Sequence, residues 1–155
     1  MKRMLAAGNQ APDLTLPDAQ GRPVRLSERW RDKHVVLFFY PKDHTPVCTK
    51  EACAFRDHYE ESLQVGTAVI GISDDDAASH ASFTNTYRLP YTLLTDTGGV
   101  ARKAFDVPRF LGLLRGRATF VIEKGGRVRM AFNDRFGAES HVRAALAALE
   151  DQRSS

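Results

Sequence analysis

Two short runs of this chain constrain its fold more than anything else in it. His34-Val-Val-Leu-Phe-Phe-Tyr40 and Thr67-Ala-Val-Ile-Gly-Ile-Ser73 are β-branched and aromatic with no polar alternation. A strand that exposes one face to water alternates apolar and polar residues, so an unbroken run marks a strand covered on both faces. The segments between and after them read as helices. Thr45-Pro46 is a helix start, with threonine as a good N-cap and proline tolerated at the first helical position, and the pattern predicts a helix to about 63. Residues 76–87 read as a second helix ended by Pro90, 98–105 as a short one, and 138–149 as an amphipathic C-terminal helix. Further strands are expected at 92–95, 117–123 and 127–132, the last two as a hairpin around Lys124-Gly125-Gly126. At the N-terminal end, Leu14-Thr15-Leu16 and Pro23-Val24-Arg25-Leu26 flank a turn-rich stretch and form a further hairpin.

The expected order is β-β-β-α-β-α-β-α-β-β-α. Strands alternating with helices require crossover connections and parallel pairing, completed here by an antiparallel hairpin. The fold class is α/β, a mixed sheet with helices on both faces. With 155 residues, 43% of them hydrophobic and 26% charged, the chain fits one globular domain over 1–155. No apolar run approaches the roughly 18 residues of a membrane span, and the first eight residues lack the h-region of about 7–15 that a secretory signal needs. A cytoplasmic protein without membrane contact is expected.

The net charge of +3 is modest. Residues 102–129 do concentrate eight basic side chains (Arg102, Lys103, Arg109, Arg115, Arg117, Lys124, Arg127, Arg129) against Asp106 and Glu123. A solvated basic face is the simpler account, and a nucleic-acid partner is not expected. Asp74-Asp75-Asp76 falls where a strand yields to a helix and is read as capping rather than a metal site. Trp30, Phe83 and Phe120 are assigned to packing, and Phe110-Leu-Gly-Leu-Leu114 to an apolar loop.

The two cysteines, Cys48 and Cys53, lie close together. In a reducing compartment such a pair points to metal or redox chemistry rather than a stable staple. Two ligands cannot complete a zinc site, His44 and His58 add no standard spacing, and no metal or other cofactor is expected. Cys48 would be the third residue of its helix, where unpaired N–H groups and the positive end of the helix dipole favour thiolate over thiol. That is a nucleophile's position, although a buried inert cysteine would also fit it.

The surrounding residues carry a resemblance. Phe38-Phe-Tyr-Pro41-Lys-Asp-His-Thr45-Pro46-Val-Cys48-Thr49-Lys-Glu-Ala52-Cys53-Ala-Phe-Arg56-Asp57 closely resembles the active-site segment of the peroxiredoxins, whose Pro-x-x-x-Thr-x-x-Cys signature is met by Pro41, Thr45 and Cys48. The second cysteine five residues on is similar to the bacterioferritin comigratory protein (Q-type) subfamily. The likeness extends to Gly8-x-x-Ala11-Pro12-Asp13, Gly71-Ile72-Ser73 and Arg117-Ala-Thr-Phe120-Val-Ile122. It departs at Val47, where that subfamily usually has glycine, and over 105–117.

The resemblance implies a thioredoxin-like sheet and a thiol peroxidase acting on hydrogen peroxide and organic hydroperoxides. Cys48 would be the peroxidatic cysteine and Cys53 the resolving one. Thr45 would hydrogen-bond sulfur and peroxide, Arg117 would stabilise the thiolate (with Arg115 the alternative), and Pro41 would shield the site. A thioredoxin or glutaredoxin-like dithiol would restore the cysteines, in a monomer or weak homodimer. A peroxide-responsive redox sensor using the same cysteines is the alternative reading, and a DNA-associated protective protein rests only on the basic stretch. On an intact helix, Cα atoms five residues apart are separated by roughly 8.6 Å, beyond the about 7 Å a disulfide spans. The implied Cys48–Cys53 bond therefore requires the start of that helix to unwind.

Overall fold

A computed structural model of the chain describes residues 5–58, 67–107, 109–110, 114–115, 117–133 and 138–153. Its centre is a five-stranded sheet built on β3 (His34–Phe39). β4 (Thr67–Ser73) and β5 (Thr92–Thr95) run parallel on one side of it; β8 (Ala118–Ile122) and β9 (Val128–Phe132) run antiparallel on the other, giving the order β5-β4-β3-β8-β9. The expected mixed sheet and its C-terminal hairpin are present. The N-terminal hairpin, β1 (Thr15–Pro17) with β2 (Pro23–Arg25), forms a separate two-stranded sheet.

Both faces of β3 are covered, as its sequence requires. Val35, Leu37 and Phe39 join one apolar cluster with Trp30 of α1 (Leu26–Trp30), Ala101 of α4 (Val100–Ala104), Phe105 and Phe120. Val36, Phe38 and Tyr40 point the other way. They meet Cys48, Ala52 and Phe55 of α2 (Pro46–Asp57), Phe83 of α3 (Ala77–Tyr87), and Val142 and Ala145 of α5 (Ala138–Arg153). Alternation of side chains along one strand thus builds two cores. Trp30, Phe83 and Phe120 are packing residues, as expected. Phe38 stacks on Phe55 with ring centres 4.5 Å apart, seating α2 on the sheet. Its partner in the parallel register is Gly71, where a Cβ would stand 2.8 Å from both Phe38 Cζ and Leu93 Cδ2. Only glycine leaves room for that stack.

Four details correct the sequence expectations. α2 closes at Asp57, with His58 as its C-cap, rather than running to 63; residues 59–66 lie outside the described part. The five-residue helix α1 follows β2 without a break. Where a loop was expected, β6 (Arg109–Phe110) and β7 (Leu114–Arg115) pair as a small hairpin, with 111–113 outside the described residues. Of the acidic triplet, Asp76 caps α3 by accepting the Ser79 amide, but Asp75 turns inward to Ser73 and to the amide of Asp43.

Candidate active site

The antiparallel register of β3 and β8 pairs Phe39 with Ala118, so one step further Arg117 lies across from Tyr40. The chain leaves β3 there, turns through Pro41 and enters α2, whose first three residues are Pro46, Val47 and Cys48. The ends of two inner strands and a helix start therefore converge on one sulfur. Cys48 is 1% exposed, Arg117 3% and Glu51 0%.

Arg117 Nη2 donates to Cys48 Sγ at 3.1 Å, and its Nη1 donates to Glu51 Oε1 at 2.5 Å. One planar guanidinium thus binds two groups a helical turn apart on α2, a task suited to its fixed fork of donors. Burial works against the charge on Arg117, but Glu51 and Cys48 more than restore it, and its proton is held more tightly than usual. Glu51 is pushed up to about 8 by desolvation, against the pull of Arg117. Its second oxygen, Oε2, is buried without a hydrogen bond and lies 3.6 Å from His141 Nδ1 of α5, which meets Thr119 Oγ1 at 2.7 Å. The C-terminal helix and β8 thereby close the pocket from behind.

The expected residues are distributed as follows. Arg117, one residue ahead of β8, contacts the sulfur. Arg115 lies on β7 with its side chain outside the described residues. Thr45 occupies the N-cap position of α2, but its hydroxyl donates to the Lys42 carbonyl at 2.8 Å rather than capping a helix amide. Pro41, Val47 and Cys53 are half-buried. Burial also pushes the Cys53 thiol up, against Arg56, so this sulfur favours its protonated form more than an ordinary cysteine. Both cysteines are free of disulfides on a continuous helix. Of the basic stretch, Arg102 donates to the Tyr40 carbonyl, Arg117 is buried at the sulfur and Arg129 pairs with Glu123, so these residues do not form one face.

The model of the AhpC/TSA family matches residues 7–131. The chain belongs to this family. Within it, the Q-type peroxiredoxins are its relatives. The chloroplastic peroxiredoxin Q of Oryza sativa subsp. japonica is 48% identical over 147 residues, covering 94% of this chain and 67% of its own. That of Sedum lineare is 47% identical over 144 residues, covering 92% and 77%. Among solved structures, peroxidoxin BcpB of Mycobacterium tuberculosis superposes with a TM-score of 0.88 at 40% identity, over 95% of this chain and 97% of that one. Peroxiredoxin Q of Xanthomonas campestris gives 0.81 at 29% identity, over 89% and 90%. The fold is the thioredoxin-like fold of the peroxiredoxins, and thiol-dependent peroxide reduction is the family's chemistry.

In this peroxiredoxin, Glu51 is the site residue that the sequence argument left unassigned. A signal was available: it lies three residues after Cys48, on the same helix face, where it can accept from the same guanidinium.

Proposed function

We propose that this peroxiredoxin reduces hydrogen peroxide and small organic hydroperoxides, with Cys48 as the peroxidatic and Cys53 as the resolving residue. The observation that carries the assignment is the guanidinium of Arg117 at 3.1 Å from Cys48 Sγ at the start of α2. A buried sulfur facing a fixed cation and a helix N-terminus is stabilised as the thiolate nucleophile.

The thiolate attacks one peroxide oxygen in line with the O–O bond. An S–O bond forms, the O–O bond breaks, and the departing oxygen takes a proton and leaves as water or alcohol. Sulfur loses two electrons, the peroxide gains them, and Cys48 becomes a sulfenic acid. Arg117 stabilises negative charge on sulfur and then on the departing oxygen. Thr45 Oγ1, its proton directed to the Lys42 carbonyl, keeps lone pairs to accept the peroxide hydroxyl. Pro41 limits access of bulk water, and Val47, with more bulk than glycine, narrows the approach to the sulfur. Cys53 then attacks the sulfenic sulfur; the S–S bond forms as the S–O bond breaks, the Cys53 proton and the sulfenic hydroxyl leave as water, and the disulfide closes within one chain after α2 unwinds. A thioredoxin or glutaredoxin-like dithiol reduces that disulfide and is itself oxidised. Such a donor system belongs to the reducing cytoplasm, which is where we place the cycle.

Steady-state peroxide consumption with thioredoxin, thioredoxin reductase and NADPH tests the activity, and turnover beyond one peroxide per chain separates an enzyme from a sensor. Mass spectrometry of the oxidised chain tests the pairing. The expected product links Cys48 to Cys53 in a monomer; Cys48 joined to Cys48 of another chain, with Cys53 free, would overturn it.

A further inference from the structure

The loop that leads into α2 is held by buried side chains to which the peroxide chemistry gives no task. Asp43 is 3% exposed. Its Oδ1 accepts the Tyr40 hydroxyl at 2.5 Å, and its Oδ2 accepts the Ser79 hydroxyl at 2.9 Å and faces His80 Nδ1 at 2.7 Å. The other ring nitrogen, Nε2, lies 3.1 Å from the Leu94 carbonyl. That carbonyl can only accept, so Nε2 carries a proton, and a second proton lies between Nδ1 and the Asp43 carboxyl. The Asp43 amide donates to Asp75 Oδ2 at 2.7 Å, which also accepts the Ser73 hydroxyl at 2.6 Å. Asp43, Asp75 and His80 have the donor types of a cation site. Each of them is already engaged in this closed set of hydrogen bonds, which accounts for their proximity without an ion.

The position of this unit gives it a role. It fixes residue 43. Immediately after it, His44 adopts φ +64°, a left-handed conformation strained for a non-glycine residue, with its ring edge-on to Phe83. Residue 45 caps α2. Further along, the Tyr91 hydroxyl donates to the Ala52 carbonyl at 2.6 Å and Arg56 Nη1 donates to the Tyr87 carbonyl at 2.7 Å. The peroxidatic segment is therefore pinned at Asp43 and again at Ala52. Between those pins, Cys48 and Glu51 bind Arg117.

We propose that Tyr40, Asp43 and His80 form a positioning unit for the peroxidatic loop. While Cys48 is reduced, it sets the start of α2 so that Thr45 and Cys48 face the same peroxide. When α2 unwinds it stays closed, so the opening begins at His44 and does not run back into β3. The second part rests on the reading of Cys48 and Cys53 given above; the first does not depend on Cys53.

Two substitutions at one position separate positioning from filling. In His80→Asn the side-chain amide can stand near the Nδ1 position and donate to Asp43. In His80→Gln it reaches the Nε2 position, keeps the Leu94 carbonyl and abandons Asp43. Glutamine leaves the smaller cavity, so a merely structural role makes His80→Gln the better variant in every respect. Positioning makes it the more stable but the slower one.

The assay is the rate of Cys48 sulfenic acid formation in a Cys53→Ser background, read by trapping and mass spectrometry. His80→Asn should stay within about threefold of the parent and His80→Gln fall by more than about tenfold, the scale of one hydrogen bond to a charged group. Rates that follow stability, or that equal the parent in both, would overturn the positioning role. If neither variant folds, Tyr40→Phe removes a single hydroxyl and should slow the step by several-fold; an unchanged rate would overturn the proposal. In wild type, amide exchange of the disulfide form should rise over 47–51 and stay slow at Tyr40 and Asp43, whose amides are bonded to Ile72 and Asp75. Loss of protection at Asp43 together with α2 would refute a clamp that stays closed. Absence of the disulfide would instead count against Cys53 as the resolving residue and leave the rate comparison decisive.

Discussion

Removal of the Arg117 guanidinium is the sharpest test of how this pocket works. Two unit charges 3.1 Å apart interact by about 5 kcal/mol at an effective dielectric constant of about 20. That figure bounds the effect from above. In the transition state the charge moves from sulfur towards the departing oxygen, and the guanidinium follows part of it. Only the part it stabilises better in the transition state appears in the rate. Loss of one preorganised donor elsewhere costs about 10²–10³ in rate, or about 2.7–4 kcal/mol, which fits under this ceiling. Arg117→Ala should therefore oxidise Cys48 about 10²–10³ times more slowly in a Cys53→Ser background, measured by quenched-flow trapping at several peroxide concentrations. Arg117→Lys should fall between, because a single ammonium lacks the fork that reaches Cys48 and Glu51 together. A rate within about threefold of the parent for Arg117→Ala would show that the charge assisting Cys48 comes from elsewhere and would refute the electrostatic reasoning.

Glu51 gives a pH test. Its folded-state value of about 8 lies above its ordinary 4.5, so the folded chain keeps a proton that the unfolded chain releases. The associated stability is full below about pH 4.5 and is lost as pH rises to about 8; Glu51→Gln should remove that loss and raise the denaturation midpoint relative to wild type more at pH 9 than at pH 5. Equal differences at the two pH values would contradict the shift. Gly71→Ala should lower stability by about 1–3 kcal/mol, because its Cβ must displace Phe38 and Leu93. It should also slow Cys48 oxidation through the Phe38–Phe55 stack beneath α2, and a neutral thermal melt would count against this packing argument.

The parts of this fold that were legible in the sequence are those where one residue pattern admits one environment. An unbroken apolar run such as Val35 to Tyr40 has nowhere to go but between two layers. Thr45-Pro46 can start a helix and cannot sit inside one. The misses share a physical cause too. Leu26-Ser-Glu-Arg-Trp30 is too short to show a helical period, and β6 and β7 are two residues each, so neither shows alternation. His58 carries no glycine or proline signal, so the end of α2 was unmarked. The sequence puts Thr45 at the helix start, but which acceptor its hydroxyl takes depends on how the 41–45 loop folds. Arg117 is legible through a motif; Glu51, the second group on its guanidinium, is legible through its i, i+3 spacing from Cys48. Asp43 and His80 stand 37 positions apart and meet only because α3 packs against the end of β3. No local pattern reports such a pair.

One consequence joins the electrostatics to the motion. On the proposed mechanism, the attraction between a Cys48 thiolate and Arg117, 3.1 Å apart, holds the segment between Asp43 and Ala52 closed in the reduced state, helped by the helix dipole. Against closure stand the strained φ of +64° at His44 and the chain entropy of the first turn of α2. A sulfenic acid is neutral. Its formation removes the attraction and leaves the opposing terms unchanged, so the closed state loses stability at the moment when, on the proposed mechanism, Cys53 is to reach Cys48. The charge of one sulfur thus sets whether the turn is folded, with no separate trigger. The effect of this charge is measurable without peroxide. Cys48→Ser keeps the shape of the side chain and lacks the charge, so it should behave in this respect like the oxidised form. Amide exchange over 46–51 should be faster in Cys48→Ser than in reduced wild type, by a factor of about ten or more if the charge contributes even about 1.4 kcal/mol to closure. Exchange over 34–39 should not change, because β3 is buried between its two neighbours. If the serine variant protects its first helical turn as well as the reduced cysteine does, the thiolate is not what holds the site shut, and opening must be driven by Cys53 or by the reductant.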